Sequence, residues 1–115
     1  MRVLIVDDDE AYLSACTAVL SDDGHHVVAC GNFDEGRRRL ADEAFDALIA
    51  DVRLGAYNGL HLISLAAPST TKIAISAFLD AVICRDAEQA GARFVVKPSN
   101  CALVSALLAH VGPHH

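Results

Sequence analysis

The stretch Val3-Leu4-Ile5-Val6-Asp7-Asp8-Asp9 decides the fold, because an apolar run ends there directly on three carboxylates. Four consecutive apolar residues without polar alternation are typical of a strand that is buried on both faces, as in a parallel sheet covered by helices. In open α/β sheets, ligands bind outside the carboxyl ends of the strands. The stretch therefore predicts a parallel sheet and a candidate site at Asp7 and Asp8. Asp9 is better suited to capping the helix that follows.

Three later apolar runs also stop on a polar side chain. Ala47–Ala50 precedes Asp51, Lys72–Ile75 precedes Ser76, and Phe94–Val96 precedes Lys97. Because parallel strands end at the same edge of a sheet, we expect these carboxylates, the hydroxyl and the ammonium group to converge. A lysine, a serine or an aspartate at a strand end is, taken singly, an ordinary surface, turn or capping residue. Their occurrence together after apolar runs favours a functional site.

Segments with helical spacing alternate with the strands. They cover residues 10–20, 33–44, 60–65 and 81–89, and Gly91 is expected to end the fourth helix. A last helix is expected to begin at a cap formed by Ser99 or Asn100. It carries an apolar stripe of Leu103, Val104, Leu107, Leu108 and Val111. Val27–Cys30 is a further strand, expected at a sheet edge away from the site, and residues 52–59 are expected to form a loop. This alternation predicts right-handed βαβ units with helices on both faces of the sheet. We expect one domain over residues 1–112 and a tail at 113–115.

Composition excludes several classes of protein. The 115 residues are 53% apolar and 21% charged, which fits one compact domain. A net charge of -6 argues against nucleic-acid binding, and Arg37–Arg39 is interpreted as a solvated helix face. No apolar stretch is long enough to span a bilayer, and no signal peptide is recognisable. The four cysteines, Cys16, Cys30, Cys84 and Cys101, are widely spaced and are expected to be buried thiols in a cytoplasmic protein.

The polar residues that end the strands, taken in order along the chain, resemble those of the receiver domain of bacterial two-component response regulators. The matching motifs are Asp7-Asp8, Asp51 with Gly59 downstream, Ser76-Ala77 and Lys97-Pro98, and they cover essentially the whole chain. The resemblance implies a CheY-like, flavodoxin-like (βα)5 fold, a doubly wound parallel α/β sheet with strand order 2-1-3-4-5. It implies a signalling domain that accepts a phosphoryl group, and not an enzyme acting on other molecules.

The resemblance also assigns roles to residues. Asp51 is expected to accept the phosphoryl group, and Ser76 and Lys97 to contact its oxygens. Mg²⁺ is expected to be held by Asp7, Asp8, Asp51 and the backbone carbonyl of Arg53. Phe94 is expected to change its rotamer in response to Ser76. Expected partners are a sensor histidine kinase or phosphotransfer protein, and a downstream protein on the face of helix 4, strand 5 and helix 5 that includes Arg85, Asp86, Gln89, Ala106 and His110.

Elementary electrostatics supports a metal at this place. Two carboxylates about 4 Å apart repel by roughly 4 kcal/mol at an effective dielectric constant of about 20, so a cluster of three carboxylates is strained without a cation. Mg²⁺ prefers oxygen ligands and keeps several waters, which leaves positions for a phosphate oxygen. An aspartate beside it can then act as a nucleophile towards phosphorus.

The sequence departs from the family pattern in one loop, and it leaves other functions open. Many receivers have a proline soon after the acceptor aspartate, whereas this chain has Leu54–Tyr57. Arg53 and Phe78 occupy positions where the family tunes the lifetime of the phosphorylated state.

The fifth helix is the last predicted element, so we expect either a stand-alone receiver or one cut from a longer protein. We expect it to be monomeric or to dimerise on phosphorylation, and to make no direct contact with nucleic acid or membrane.

Two alternatives from other classes make different predictions. A phosphatase of the haloacid dehalogenase type would use Asp7 as its nucleophile and Asp9 as its acid. A receiver-like interaction module would bind partners without turning over phosphate. Flavin binding on the same fold is disfavoured, because the first loop presents three carboxylates to any phosphate.

Overall fold

The computed structural model describes residues 1–97 and 101–110, and its centre is a five-stranded parallel sheet. The strands are β1 (Arg2–Val6), β2 (His26–Cys30), β3 (Ala47–Asp51), β6 (Thr71–Ser76) and β7 (Ala92–Val96), with a short hairpin of β4 (Arg53–Leu54) and β5 (Tyr57–Asn58). The sheet order is β2-β1-β3-β6-β7, which is 2-1-3-4-5 when the five long strands are counted. The predicted fold class is confirmed, as is the position of β2 at an edge.

The helices follow the predicted segments closely. They are α1 (Glu10–Asp22), α2 (Phe33–Asp42), α3 (Leu60–Leu65), α4 (Ala81–Gln89) and α5 (Cys101–His110). Asp9 caps α1 as expected, and Gly91 has a φ of +85° just beyond α4. The expected cap at Ser99 or Asn100 and the tail at 113–115 lie outside the described residues. Within the described ranges, none of the helices has the length and hydrophobicity needed to cross a membrane.

Alternate residues of the strands supply a separate hydrophobic core on each face of the sheet. On one face, Val3 and Ile5 belong to a core that includes Cys16 of α1 and Val104 and Leu108 of α5. On the other face, Leu4 and Val6 belong to a core with residues of α2, α3 and α4. Burial on both faces explains why β1 has no polar residue between Val3 and Val6. Leu103, which was predicted in the apolar stripe of α5, is instead 46% exposed.

The segment after β3 is more regular than the loop that was predicted. Arg53 pairs with Asn58 and Leu54 with Tyr57 in a two-residue antiparallel hairpin. Gly55 turns the chain with a φ of +61°, a conformation that glycine adopts without a steric penalty. The ring of Tyr57 stacks on that of Phe33 at 4.7 Å and anchors the hairpin to α2. No proline is needed to order this segment.

The prediction of four free thiols is wrong for two cysteines. Cys16 of α1 and Cys101 of α5 form a disulfide, whereas Cys30 and Cys84 are free. Cys16 and Cys101 are 85 residues apart in sequence, but α1 and α5 pack side by side on one face of the sheet. Sequence spacing alone therefore carried no information about this pair.

Gly59 lies where no side chain fits. A Cβ atom on Gly59 would be 1.8 Å from the main-chain oxygen of Asp51, so any substitution must displace the backbone at the end of β3. We expect Gly59→Ala to lower the free energy of unfolding by about 1–3 kcal/mol, measured by urea denaturation.

The control for this prediction is Gly31→Ala, since a Cβ there would meet no atom within 4 Å. It should change the free energy of unfolding by less than about 0.5 kcal/mol. Equal effects of the two substitutions would contradict the steric explanation.

Candidate functional site

Three carboxylates meet at the carboxyl edge of the sheet. Asp7 and Asp8 follow β1, and Asp51 ends β3, which is hydrogen-bonded to β1 with Val6 opposite Ala50. One oxygen from each carboxylate lies within 4.8 Å of the others. Asp7 is fully buried and Asp51 is 6% exposed, whereas Asp8 is exposed. The structure thus brings the predicted acidic residues together.

Main-chain N–H groups fix the orientation of each carboxylate. Asp7 Oδ1 accepts a hydrogen bond from the Asp9 N–H at 2.9 Å, and Asp51 Oδ1 accepts one from the Arg53 N–H at 3.0 Å. Asp8 Oδ2 accepts a longer hydrogen bond, 3.3 Å, from the N–H of Gly55 in the hairpin. Since the donors are backbone groups of the neighbouring loops, the loops and the carboxylates hold one another in place.

Lys97 inserts its ammonium group between two of these carboxylates. Its Nζ lies 2.8 Å from Asp7 Oδ2 and 3.0 Å from Asp51 Oδ2, and the side chain is 12% exposed. The Lys97 N–H donates to the Ser76 carbonyl at 2.7 Å, which ties the end of β7 to the end of β6. The ammonium also lies 4.7 Å from the centre of the Tyr12 ring, a cation–π contact that the sequence did not reveal.

Burial and pairing shift the pKa values of Asp7 and Lys97. Removal from water is the main cause that raises the pKa of Asp7 to about 6, and the nearby Asp51 adds to it, although the hydrogen bonds from Lys97 and from the Asp9 N–H oppose it. Burial alone would lower the pKa of Lys97, but the hydrogen bonds and charges of Asp7 and Asp51 outweigh burial and raise it. Lys97 therefore stays charged, whereas Asp7 takes up a proton at a higher pH than an ordinary aspartate does.

Ser76 ends β6 at the same edge of the sheet and is 2% exposed. Its hydroxyl oxygen accepts a hydrogen bond from the Phe78 N–H at 3.2 Å. The Phe78 ring is 62% exposed, and the guanidinium carbon of Arg53 lies 5.5 Å from its centre. Arg53 and Phe78 thus form one contact above the strand ends. The predicted role of Ser76 towards a phosphoryl oxygen stays a prediction.

The donor set fits a divalent cation. All three groups are hard oxygen ligands, and three carboxylates face a single ammonium group. Among the described residues, the only partner of the buried Asp7 Oδ2 is the Lys97 ammonium, 2.8 Å away. A buried carboxylate oxygen in that condition is ready to accept a cation.

Asp9 does not take part in this cluster. Its Oδ1 accepts hydrogen bonds from the N–H groups of Ala11 and Tyr12 at 3.1 and 3.2 Å and so caps α1. A phosphatase of the haloacid dehalogenase type would need Asp9 as a free acid, so this arrangement disfavours that alternative.

A family model for the response regulator receiver domain matches residues 3–109. The chain belongs to the response regulator receiver family. Receiver domains generally act in signalling, and here three carboxylates that could hold a metal ion lie beside a lysine.

Relatives of known sequence and structure agree with this membership. The chain is 33% identical over 101 residues to the alginate biosynthesis transcriptional regulatory protein AlgB of Pseudomonas aeruginosa, and 31% identical over 106 residues to the sensory/regulatory protein RpfC of Xanthomonas campestris. These matches cover 84% and 85% of this chain but only 22% and 15% of the relatives. A CheY-like receiver domain from Methanospirillum hungatei is similar in structure, with a TM-score of 0.90, 26% identity, and coverage of 96% of this chain and 91% of its own.

The raised pKa of Asp7 predicts a pH-dependent stability. Because the folded-state pKa of about 6 exceeds the ordinary value of 3.8, protonation of Asp7 stabilises the fold, and this stabilisation is lost as the pH rises through about 6. In metal-free buffer, the free energy of unfolding of the wild type relative to Asp7→Asn should therefore increase by about 1–3 kcal/mol between about pH 7.5 and about pH 4.5.

Asp8→Asn provides the comparison, because the Asp8 side chain is exposed and lacks the penalty of burial. Urea denaturation at each pH measures the difference. A free-energy difference between wild type and Asp7→Asn that does not change with pH would contradict the assignment.

Proposed function

We propose that this receiver domain accepts a phosphoryl group on Asp51 from a sensor histidine kinase or phosphotransfer protein, in a reaction that depends on Mg²⁺. The observation that carries the proposal is the position of Asp51 beside Asp7 and Asp8, with its Oδ2 3.0 Å from the Lys97 ammonium. Phosphorylation then switches a surface that binds a downstream protein.

Asp51 is a better placed nucleophile than Asp7. Both carboxylates pair with the Lys97 ammonium, but Asp7 has no exposed surface, whereas Asp51 is 6% exposed at the end of the central strand β3. In the transfer, an Asp51 oxygen forms a bond to phosphorus as the bond from phosphorus to the donor nitrogen breaks. The electron pair of that bond stays on the nitrogen of the donor imidazole.

Lys97 is placed to contact negative charge both before and after this transfer. Its ammonium bridges Asp7 and Asp51 before reaction, and it can contact a phosphoryl oxygen once Asp51 is phosphorylated. Ser76, at the end of the neighbouring strand, would donate its hydroxyl to another oxygen. Asp7, Asp8, Asp51 and the main-chain carbonyl of Arg53 would hold Mg²⁺, which when bound neutralises charge on the transferred group.

The switching surface in this proposal is formed by α4, β7 and α5. Phe94 lies two positions before the partner of Ser76 in the β6–β7 pairing and lines a cavity of about 750 Å³ with Cys84, Glu88, Leu103 and Leu107. A ring beside such a cavity has room to change its rotamer. Exposed Arg85, Asp86, Gln89 and Ala106 surround this face, and the side chain of His110 lies outside the described residues.

We also propose the location, the oligomeric state and the kind of partner of this protein. A phosphoryl donor of this class implies a cytoplasmic protein, either monomeric or dimerising on phosphorylation. The acidic net charge of -6 supports protein partners over direct contact with nucleic acid. The chain spans 22% and 15% of the length of the two relatives named above.

Intact-protein mass spectrometry after incubation with acetyl phosphate tests the proposal. We expect the wild type to gain one phosphoryl group only when Mg²⁺ is present, and Asp51→Asn to gain none. Asp34→Asn, a substitution at an exposed position of α2, should behave as wild type.

Asp7→Asn distinguishes phosphorylation of Asp51 from a phosphatase-like mechanism that uses Asp7. It should keep Asp51 as the modified residue but react more slowly, because one of the metal-binding carboxylates is missing. Phosphate on Asp7 in the wild type would favour a phosphatase-like mechanism. A folded wild type that takes up no phosphate would favour a phosphorylation-independent interaction module.

A further inference from the structure

The cysteine pair joins the two helices that cover one face of the sheet. Cys16 in α1 is fully buried, and Cys101, the first residue of α5, is 7% exposed. Their Cα atoms are 5.0 Å apart, inside the range of about 4.4–6.8 Å that disulfides require. A hydrogen bond between Ser105 and Asp23 joins the same helices further along. The disulfide therefore joins backbone segments that are spaced as such a bond requires.

We propose that the disulfide between Cys16 and Cys101 is reversible, so that the two residues form a thiol oxidation site that fixes the start of α5 to α1 only in its oxidised form. The inference rests on the geometry of the two helices and does not depend on phosphorylation of Asp51. The other two cysteines are not alternatives for this link, since Cys30 belongs to the core on the opposite face of the sheet and Cys84 lies on α4.

The two cysteines differ in exposure to solvent, as a stepwise oxidation requires. Cys101 is the first residue of a ten-residue helix, and a small part of its surface reaches solvent. Cys16 has no exposed surface, so a dissolved oxidant does not reach it directly. Cys101 is thus the residue that meets the oxidant, and Cys16 is the residue that resolves the product.

Hydrogen peroxide is an oxidant small enough for this exposure. The Cys101 thiolate attacks one peroxide oxygen, the O–O bond breaks, and the second oxygen leaves as water after taking up a proton. The Cys16 thiolate then attacks the sulfur of the resulting sulfenic acid and expels its oxygen as a second water. Two thiols and one peroxide give one disulfide and two waters, and a small dithiol reverses the reaction by exchange.

The link also lies next to the candidate site. Tyr12, whose ring contacts the Lys97 ammonium, is one helical turn before Cys16 on α1. Lys97 precedes Cys101 by four residues in the chain. One face of α1 therefore contacts the chain at Lys97 and again at Cys101. Formation of the disulfide restricts the movement of α5 against α1 at the end nearest to Lys97.

The test compares the fully reduced wild type with the same protein after treatment with hydrogen peroxide. We expect peptide mapping without reductant to find a single internal crosslink between Cys16 and Cys101, removed by dithiothreitol. Because the link closes a loop of about 85 residues, the melting temperature of the oxidised form should be higher by at least about 5 °C. Amide hydrogen exchange in the first turn of α5 should slow relative to that in α2.

Cys101→Ala and Cys16→Ala should abolish the peroxide-dependent shift in melting temperature, and Cys30→Ala should retain it. The wild-type comparison stands by itself if the buried Cys16 variant does not fold. Peroxide that leaves both thiols reduced, a crosslink that dithiothreitol does not remove, or a crosslink without a shift in melting temperature would each overturn the proposal. None of these outcomes depends on whether Asp51 accepts phosphate.

Discussion

The ion pairs of Lys97 with Asp7 and Asp51 are the interaction on which the site depends. Asp7 is fully buried and Asp51 nearly so, and buried carboxylates are unfavourable unless a positive charge accompanies them. One ammonium group serves both, which leaves the cluster short of positive charge. Removal from water is the main cause of the raised pKa of Asp7, and the shortage of positive charge makes the three carboxylates a candidate site for a cation. The arrangement that suits the proposed function therefore lowers the stability of the fold at these residues, as is common at functional sites.

The sheet determines which side chains meet. With β1 between β2 and β3, and β6 and β7 beyond β3, the polar residues at four strand ends are placed along one edge. Backbone contacts then set the finer geometry, such as the hydrogen bond from Lys97 to Ser76 and the close approach of Gly59 to Asp51. At Gly59 only a hydrogen in place of a side chain lets the hairpin return to the end of β3. The position of the Asp51 carboxylate is thus a property of the whole sheet and not of one loop.

Much of the fold and of the candidate site could be predicted from the sequence, because the relevant signals are local. Uninterrupted apolar runs such as Val3–Val6 mark buried parallel strands, and the polar residues that end them, such as Asp51, mark the edge where ligands bind. The features that could not be predicted depend on contacts between distant segments. The Cys16–Cys101 link and the Lys97–Tyr12 contact both require α1 to lie beside the chain after β7, and no spacing within either segment encodes that. The hairpin around Gly55 was missed because two-residue strands have no periodicity to detect.

We propose that Asp51 receives the phosphoryl group while Asp7 and Asp8 hold the metal and Lys97 contacts the transferred group. A crystal structure of the protein with Mg²⁺ and beryllofluoride, a mimic of the phosphoryl group, can test this assignment. We expect beryllium bonded to Asp51, Mg²⁺ bound by Asp7, Asp8 and Asp51, and Lys97 moved from Asp7 to a fluorine atom. Beryllofluoride attached to Asp7, or a site that takes up neither Mg²⁺ nor the mimic while Lys97 still bridges the two carboxylates, would contradict it.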